Sequence, residues 1–141
     1  MGAGFEIGRD GPGTVVVGVD DSEAASHALG WAVGTARRQG SELVLVTAVP
    51  LPGASIGFVP PPLDPPELSP ERAAVLNEFL PGRWRYLTRN GEAEAELIAV
   101  AHELKADAIV VGRARHPSRH MLGSVASRLV RHADTPVVVV P

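Results

Sequence analysis

The sequence predicts an α/β fold, a single doubly wound parallel sheet of five strands with helices on both faces. Short β-branched runs alternate with amphipathic helical segments, which gives the pattern β-α-β-α-β-α-β-α-β. Strands that alternate with helices in this way form parallel sheets joined by right-handed crossovers. The runs at 15–19 and 137–140 contain no charged residue, as expected for strands covered on both faces.

The first part of the pattern is a strand, a helix and a second strand. Thr14–Val19 is predicted to be the first strand, and Asp20-Asp21-Ser22 the cap of the helix that follows, because short polar side chains favour helix N-termini. Gly40 is expected to end that helix, and Leu43–Ala48 to form the second strand. The inner face of the helix is predicted from its three-to-four spacing as Ala25, Ala28, Leu29, Ala32, Val33 and Ala36.

A proline-rich connection at 50–70 comes next and is expected to be irregular, lying over the mouth of the sheet or moving freely. Ser69-Pro70-Glu71 predicts a helix start, with a cap, a proline in the first turn and an acid near the positive helix end. That helix should run to about Leu80. Trp84–Thr88 predicts a third strand, and its alternating arginines indicate the edge of the sheet.

The remaining elements follow in the same alternation. Asn90-Gly91 predicts a turn into a third helix, and Ala108–Val111 predicts the fourth strand. A fourth helix is predicted over 124–132, and the last strand over Val137–Val140. The inner face of the third helix is predicted as Leu97, Val100, Ala101 and Leu104.

Composition limits the possible functions. The 141 residues, 45% of them hydrophobic, predict one domain over 14–141 after a flexible lead-in at 1–13. A net charge of −3 argues against nucleic-acid binding. The absence of cysteine excludes disulfides and thiol catalysis. Because the apolar runs are too short to span a bilayer and the lead-in has no signal-like core, we expect a cytoplasmic protein without a membrane partner.

Two strand ends carry residues suited to binding a ligand. Asp20 follows the first strand, Gly112 follows the fourth, and Gly123-Ser124 opens the fourth helix. If the first and fourth strands are neighbours, Asp20 would accept a hydrogen bond from a ribose hydroxyl, while Gly112 and the helix start would hold phosphates. The alternative interpretation is that Asp20, Asp21 and Ser22 only cap a helix.

The chain resembles the universal stress protein family over nearly its whole length. The resemblance rests on Val-Gly-Val-Asp-Asp-Ser at 17–22, the turn at Gly91, Ala-Asp-Ala-Ile-Val-Val-Gly at 106–112, and Gly-Ser-Val-Ala-Ser with His-Ala-Asp-Thr-Pro-Val-Val-Val-Val within 123–140. It implies the strand order 3-2-1-4-5, which places the first and fourth strands side by side. It also implies a homodimer that pairs through Val137–Val140.

Many members of that family bind ATP, which Mg accompanies, through a signature of Gly, two residues, Gly, nine residues and then Gly-Ser or Gly-Thr. Gly112 and Gly123-Ser124 match its ends, but Arg115 stands where the middle glycine belongs. The loop is also two residues shorter, which removes roughly 7 Å of extended reach. The resemblance and the crevice together assign the nucleotide site to Gly18, Val19, Asp20, Ala48, Val111, Gly112, Arg115, Gly123, Ser124 and Val125.

The loop between the two glycines is basic, with Arg113, Arg115 and Arg119. These arginines would hold phosphate through side chains where the backbone of a glycine is missing, or would form a solvated basic loop. His116 and His120 are spaced like helical metal ligands, but Pro117 disrupts such a helix, so no metal site is expected.

Several enzyme classes are excluded by missing residues. The turn after the first strand lacks the glycine pattern of a dinucleotide-binding enzyme, and the only lysine, Lys105, does not lie in a P-loop. No catalytic role is assigned, and any ATP hydrolysis would be slow and incidental. Two functions remain: a stress-response module with an altered adenine-nucleotide crevice, and a nucleotide-free dimeric scaffold of the same family.

Overall fold

The computed structural model describes residues 11–51, 57, 64–113 and 123–141. In this part of the chain the strands are β1 (Thr14–Gly18), β2 (Glu42–Val49), β3 (Trp84–Asn90), β4 (Ala108–Gly112) and β5 (Val137–Val140). The helices are α1 (Glu23–Gln39), α2 (Pro70–Phe79), α3 (Ala93–Leu104) and α4 (Ser124–His132). The strands form one parallel sheet in the order β3-β2-β1-β4-β5, which confirms the predicted fold class and strand order.

The core has one layer on each side of the sheet. Val15 and Val17 of β1 pack on the face that α1 and α2 cover, while Val16 packs on the face that α3 and α4 cover. Burial of each such side chain contributes about 1.5–3 kcal/mol. The continuous apolar run in β1 therefore reflects its place in the middle of the sheet, with both faces buried.

The predicted helix ends are confirmed where a local hydrogen bond or backbone angle defines them. The Ser22 hydroxyl accepts from the backbone N–H of Ala25 at 3.1 Å, and the Ser69 hydroxyl accepts from that of Arg72 at 3.3 Å. Gly40 ends α1 in the left-handed conformation with φ 71°. These devices act within a few residues, so the sequence alone is enough to place them.

Strand ends differ slightly from the predicted ones. β1 ends at Gly18 rather than Val19: the Val19 N–H still donates to the Val46 carbonyl at 2.9 Å, but the Val19 carbonyl accepts from the Thr47 side chain at 3.1 Å. β2 begins one residue earlier than predicted and ends one later, β3 continues to Asn90, and β4 includes Gly112. The predicted core position Leu104 is only partly buried.

The sheet has two different edges. β3 lies at one edge, as its alternating arginines indicate, and Arg85 and Arg89 pair with Glu42 and Glu103 at 2.6 and 2.7 Å. β5 forms the other edge with four half-buried valines. No helix in the described part of the chain is both long and apolar enough to cross a membrane.

The proposed boundary between lead-in and domain stays a prediction. Residues 1–10 lie outside the described residues, as does most of the stretch between 52 and 63 of the proline-rich connection. At Gly13 the carbonyl already accepts from the backbone N–H of Glu42 at 3.0 Å. The described chain is therefore tied to the sheet one residue before β1 begins.

Candidate functional site

A crevice opens at the carboxyl ends of the central strands, where the strand order reverses. β1 and β4 pair directly, with Val17 opposite Val110, so their tips lie side by side as the nucleotide hypothesis required. Beyond the tips is a cavity of about 160 Å³. Its described lining residues are Gly18, Val19, Asp20, Ser22, Ala24, Ala25, Val46, Ala48, Ala93, Leu97, Val111, Gly112 and Val125. Open parallel sheets bind their ligands at this kind of reversal point.

The fold brings most of the predicted site residues to this cavity. Those that line it are Gly18, Val19, Asp20, Ala48, Val111, Gly112 and Val125. Gly123 and Ser124 immediately precede Val125 at the start of α4, but they are not among the described lining residues of the cavity. Arg115, His116 and His120 lie outside the described residues. The ligand-binding role of each predicted residue stays a prediction.

Several lining residues were not predicted from the sequence to belong to the site. They are Ser22, Ala24 and Ala25 from the start of α1, Val46 from β2, and Ala93 and Leu97 from α3. Ser22 was expected only as a cap, and Leu97 only as a core residue. The small side chains of Ala24 and Ala25 are the signal that could have been used, because a helix start that borders a ligand needs short side chains.

Two glycines of the crevice lie in close packing, which is tight at Gly18 and excludes any side chain at Gly112. A Cβ atom on Gly18 would lie 3.2 Å from Leu97 Cδ1, so there is little space between β1 and α3 at this position. A Cβ atom on Gly112 would come within 3.0 Å of the backbone carbonyl of Ala24. Gly112 therefore lets the end of β4 touch the first turn of α1. This close contact is sufficient to explain that glycine without any ligand.

On the β1 side, the crevice wall is the start of α1, and some of its polar groups already have partners. The Ser22 backbone N–H donates to Asp20 Oδ1 at 2.7 Å, and the Ser22 hydroxyl caps the helix through Ala25. Glu23 adds an acid to the first turn. Asp20 thus does stabilise the helix start, as the alternative interpretation expected. Among the described residues, however, its second oxygen, Oδ2, has no hydrogen-bond partner.

On the β4 side, the crevice wall is the start of α4, and it differs in every one of these respects. Gly123 is the N-cap and has no side chain to accept from the helix, and the first turn carries no acid. The first intrahelical bond runs from the Ser127 N–H to the Gly123 carbonyl at 2.9 Å. The N–H groups of Ser124, Val125 and Ala126 therefore have no acceptor within the helix. Such a helix start attracts anions.

Metal binding has no support in the described part of the chain, where no group of three or more histidine, aspartate or glutamate side chains is placed to hold an ion. Among the described lining residues of the crevice, Asp20 carries the one carboxylate. The arrangement is suited to a ligand that offers hydrogen-bond donors at one end and negative charge at the other.

Comparison with known proteins identifies relatives over the whole described fold. The model of the universal stress protein family matches residues 12–141. Universal stress protein Rv2623 of Mycobacterium tuberculosis is 31% identical over 141 residues, which cover 89% of this chain and 46% of the relative. Universal stress protein G of Shigella flexneri is 45% identical over 62 residues, 43% of either chain. The chain thus spans less than half the length of these curated relatives.

Solved structures share the fold. A universal stress protein in complex with cAMP superimposes with a TM-score of 0.69 at 24% identity, over 92% of this chain and 96% of that one. The universal stress protein of Archaeoglobus fulgidus in complex with dAMP gives 0.60 at 23% identity, over 91% and 97%. At these identities the similarity establishes a common architecture.

Proposed function

The chain belongs to the universal stress protein family, and on this basis we propose that it is a stress-response module whose crevice binds an adenine nucleotide. The observation that carries the proposal is the pair of unlike helix starts that border one cavity. Asp20 offers a hydrogen-bond acceptor at the tip of β1, and the uncapped start of α4 offers backbone N–H donors next to β4. A nucleotide presents the complementary groups, with hydroxyls on its sugar and negative charge on its phosphate.

The nucleoside would occupy the β1 and β2 side of the crevice. Oδ2 of Asp20 would accept from a ribose hydroxyl, while Ala48 and Val46 would contact the base through apolar atoms. The cavity of about 160 Å³ is smaller than the 300–1,000 Å³ of pockets that enclose a whole drug-sized ligand. It therefore suits the nucleoside part, with the phosphates outside it towards α4.

The phosphates would bind at the start of α4. The N–H groups of Ser124 and Val125 would donate to phosphate oxygens, and the positive end of the helix would favour their charge. Gly123 keeps the approach free of a side chain. If the ligand is ATP, Mg would accompany it and be held by the phosphates. Arg115, where the family signature has glycine, would add charge to this side through its side chain.

Relatives with the same fold support this choice of ligand. Structures of two family members contain cAMP and dAMP, both adenine nucleotides with one phosphate. A monophosphate needs fewer backbone contacts than a triphosphate, so a chain with a shortened phosphate loop can still bind one. We therefore propose a binding module of the cytoplasm rather than an enzyme, with any hydrolysis of ATP slow and incidental.

The second candidate function is a nucleotide-free scaffold that acts as a homodimer, and the edge strand β5 is the observation that favours it. The N–H groups of Ile109, in β4, and Arg113, directly after it, bond to the carbonyls of Pro136 and Val140, each at 2.8 Å. The backbone groups of Val137 and Val139 consequently point away from β4. An apolar edge with outward backbone groups is a template for pairing with a second copy.

Replacing Val139 by proline tests this edge, because proline removes one outward N–H and leaves the bonds to β4 in place. We expect the wild type to elute as a dimer at micromolar concentration in size-exclusion chromatography with light scattering, and Val139→Pro as a monomer. Val139→Thr, which keeps the N–H and the side-chain shape, is the control. A monomeric wild type would remove the scaffold proposal.

Thermal unfolding with nucleotide tests the main proposal. A ligand at about 100 times its dissociation constant adds about 2.7 kcal/mol, which raises the melting temperature of a domain of this size by several degrees. We expect such a shift with AMP, cAMP or MgATP and a smaller one with the matching guanine nucleotide. Equal curves with and without every adenine nucleotide at millimolar concentration would contradict nucleotide binding.

A further inference from the structure

Arg72, on the first turn of α2, does not line the cavity but contacts the turn after β1 and the start of α1. Its Nη1 and Nη2 atoms both donate to the backbone carbonyl of Asp20, at 3.4 and 3.3 Å. Nη2 also donates to the Ser26 hydroxyl in α1, at 3.0 Å. One guanidinium therefore joins three parts of the chain: the start of α2, the turn after β1 and the first turns of α1.

The carbonyl immediately before Asp20 is held as well. The Thr47 hydroxyl of β2 donates to the Val19 carbonyl at 3.1 Å. The Tyr86 hydroxyl of β3 lies 3.0 Å from Thr47 Oγ1 and 3.1 Å from the Pro66 carbonyl, in the described end of the proline-rich connection. Two consecutive carbonyls of the crevice wall are thus fixed by side chains from elsewhere in the fold.

These contacts bear on the orientation of Asp20. Its hydrogen bond to the Ser22 N–H fixes the carboxylate relative to α1, but Asp20 is exposed and the turn that carries it is short. The bond from Arg72 to its carbonyl restricts rotation of the peptide that follows Asp20. The direction in which Oδ2 faces depends on that peptide, and so on a residue that does not line the cavity.

We propose that Arg72 is a positioning residue for nucleotide binding, which holds Asp20 in the orientation that accepts a ribose hydroxyl. The inference rests on the proposed function. It also makes the start of α2, and with it the end of the proline-rich connection, part of the binding apparatus. Loss of the tie would leave the cavity present but its acceptor unfixed.

The position of Arg72 distinguishes this role from direct binding of phosphate. α2 packs on the face of the sheet that α1 covers, whereas α4 packs on the opposite face. The guanidinium therefore lies in the layer away from the uncapped start of α4. Replacing Arg72 should weaken the binding of adenosine, AMP and ATP by the same factor, since all three contain the ribose.

The test is isothermal titration of adenosine, AMP and MgATP into the wild type, Arg72→Ala and Arg72→Gln. We expect both variants to bind each ligand about five- to tenfold more weakly, a loss of the size of one ordinary hydrogen bond. Arg38→Ala is the matched control, because Arg38 is an exposed arginine of α1 whose hydrogen bond is to Thr35. It should bind like the wild type.

A double-mutant cycle with Asp20→Asn separates positioning from a general loss of structure. Asparagine keeps the turn before α1 but replaces Oδ2, the carboxylate oxygen that has no partner among the described residues. If Arg72 acts through Asp20, removing Arg72 in the Asp20→Asn background should cause little further loss of affinity. Unchanged binding by Arg72→Ala, a loss that grows with phosphate number, or an undiminished loss in the Asp20→Asn background would overturn the inference. A wild type that binds none of the ligands would instead overturn the proposed function, and the inference with it.

Discussion

The starts of α1 and α4 border the same crevice, yet they are built in opposite ways. α1 begins after two aspartates, is capped by the Ser22 hydroxyl and carries Glu23 in its first turn. α4 begins after Gly123, with no side-chain cap and no acid in its first turn. α1 therefore provides an acceptor for the Ala25 N–H and an acid near the positive end of its dipole, whereas the first turn of α4 has neither among the described residues.

This difference makes the two sides of the crevice chemically unlike. The α1 side is negative and already hydrogen-bonded, so it suits a neutral group with donors to offer. The α4 side is a positive helix end whose first N–H groups have no acceptor within the described part of the chain, so it suits an anion. A chain that needed only to fold would gain about 0.3 kcal/mol by placing serine instead of glycine at the N-cap of α4, as it does in α1. The missing cap is thus a local cost in stability at the place where a phosphate would bind.

The largest expected effect comes from disrupting the contact between Gly112, at the end of β4, and the start of α1. Gly112→Ala places a Cβ against the Ala24 backbone, which cannot move aside as a flexible side chain could. We expect a loss of about 3 kcal/mol in the free energy of unfolding. Gly30→Ala is the control, because an added Cβ there has nothing within 4 Å and should stabilise α1 by up to about 1 kcal/mol. Similar values from urea unfolding of the two variants would show that β4 and α1 do not touch as described.

The next effect makes α4 resemble α1. Gly123 has φ −63° and ψ 165°, a conformation open to any residue, so Gly123→Asp can cap α4; because glycine is itself a fair N-cap and position 123 is buried, the stability of the ligand-free protein should change by only about 0.5 kcal/mol or less. The same carboxylate should repel phosphate and abolish the shift of about 2.7 kcal/mol expected from saturating nucleotide. Thermal unfolding with and without MgATP measures both changes. An undiminished nucleotide shift would place the phosphates away from α4.

A smaller effect is expected at the serines of the two helix starts, Ser22 at the N-cap of α1 and Ser124 at the first position of α4. Ser22→Ala removes the hydroxyl that caps α1 and should lower the free energy of unfolding by about 1 kcal/mol. Ser124→Ala removes an exposed hydroxyl that is not the N-cap of α4, and should change stability by less than about 0.5 kcal/mol. Chemical unfolding of both variants is the measurement. Equal losses would mean that the two helix starts are capped alike.

The smallest effect exchanges the charges of the first turns. Glu23→Gln should destabilise the protein by about 0.3–1 kcal/mol, and Ser124→Glu should stabilise it by a similar amount, since each changes one charge at a helix start. Both effects should shrink in 1 M salt, where the screening length is about 3 Å. A salt-independent change in either variant would exclude the helix dipole as the cause.

Much of the fold could be predicted because its signals are local. The caps at Ser22 and Ser69 and the stop at Gly40 depend on residues within one helical turn. The arginines of β3 marked an edge because a covered strand could not bury them. The strand order itself came from the resemblance to a family, since periodicity does not say which strands are neighbours.

The site was predicted less completely, because its shape depends on contacts between distant residues. Leu97 covers Gly18 across the sheet, and Ala24 meets Gly112 between α1 and β4. Neither contact has a signal within its own segment. Gly112 was interpreted as a place for a phosphate to approach, but the helix that it touches already requires a glycine there. Arg72 had no signal at all, since its contact with Asp20 joins residues far apart in the chain.

Changes in backbone amide chemical shifts in two-dimensional NMR test most directly which side of the crevice binds the nucleoside and which binds the phosphate. Titration with adenosine should move the amides of Gly18, Val19 and Asp20 and leave those at the start of α4 nearly unchanged. Titration with AMP should move the first group equally and, in addition, move the amides of Ser124 and Val125. Shifts at Ser124 and Val125 that are the same for both ligands, or absent for both, would contradict an anion site on α4.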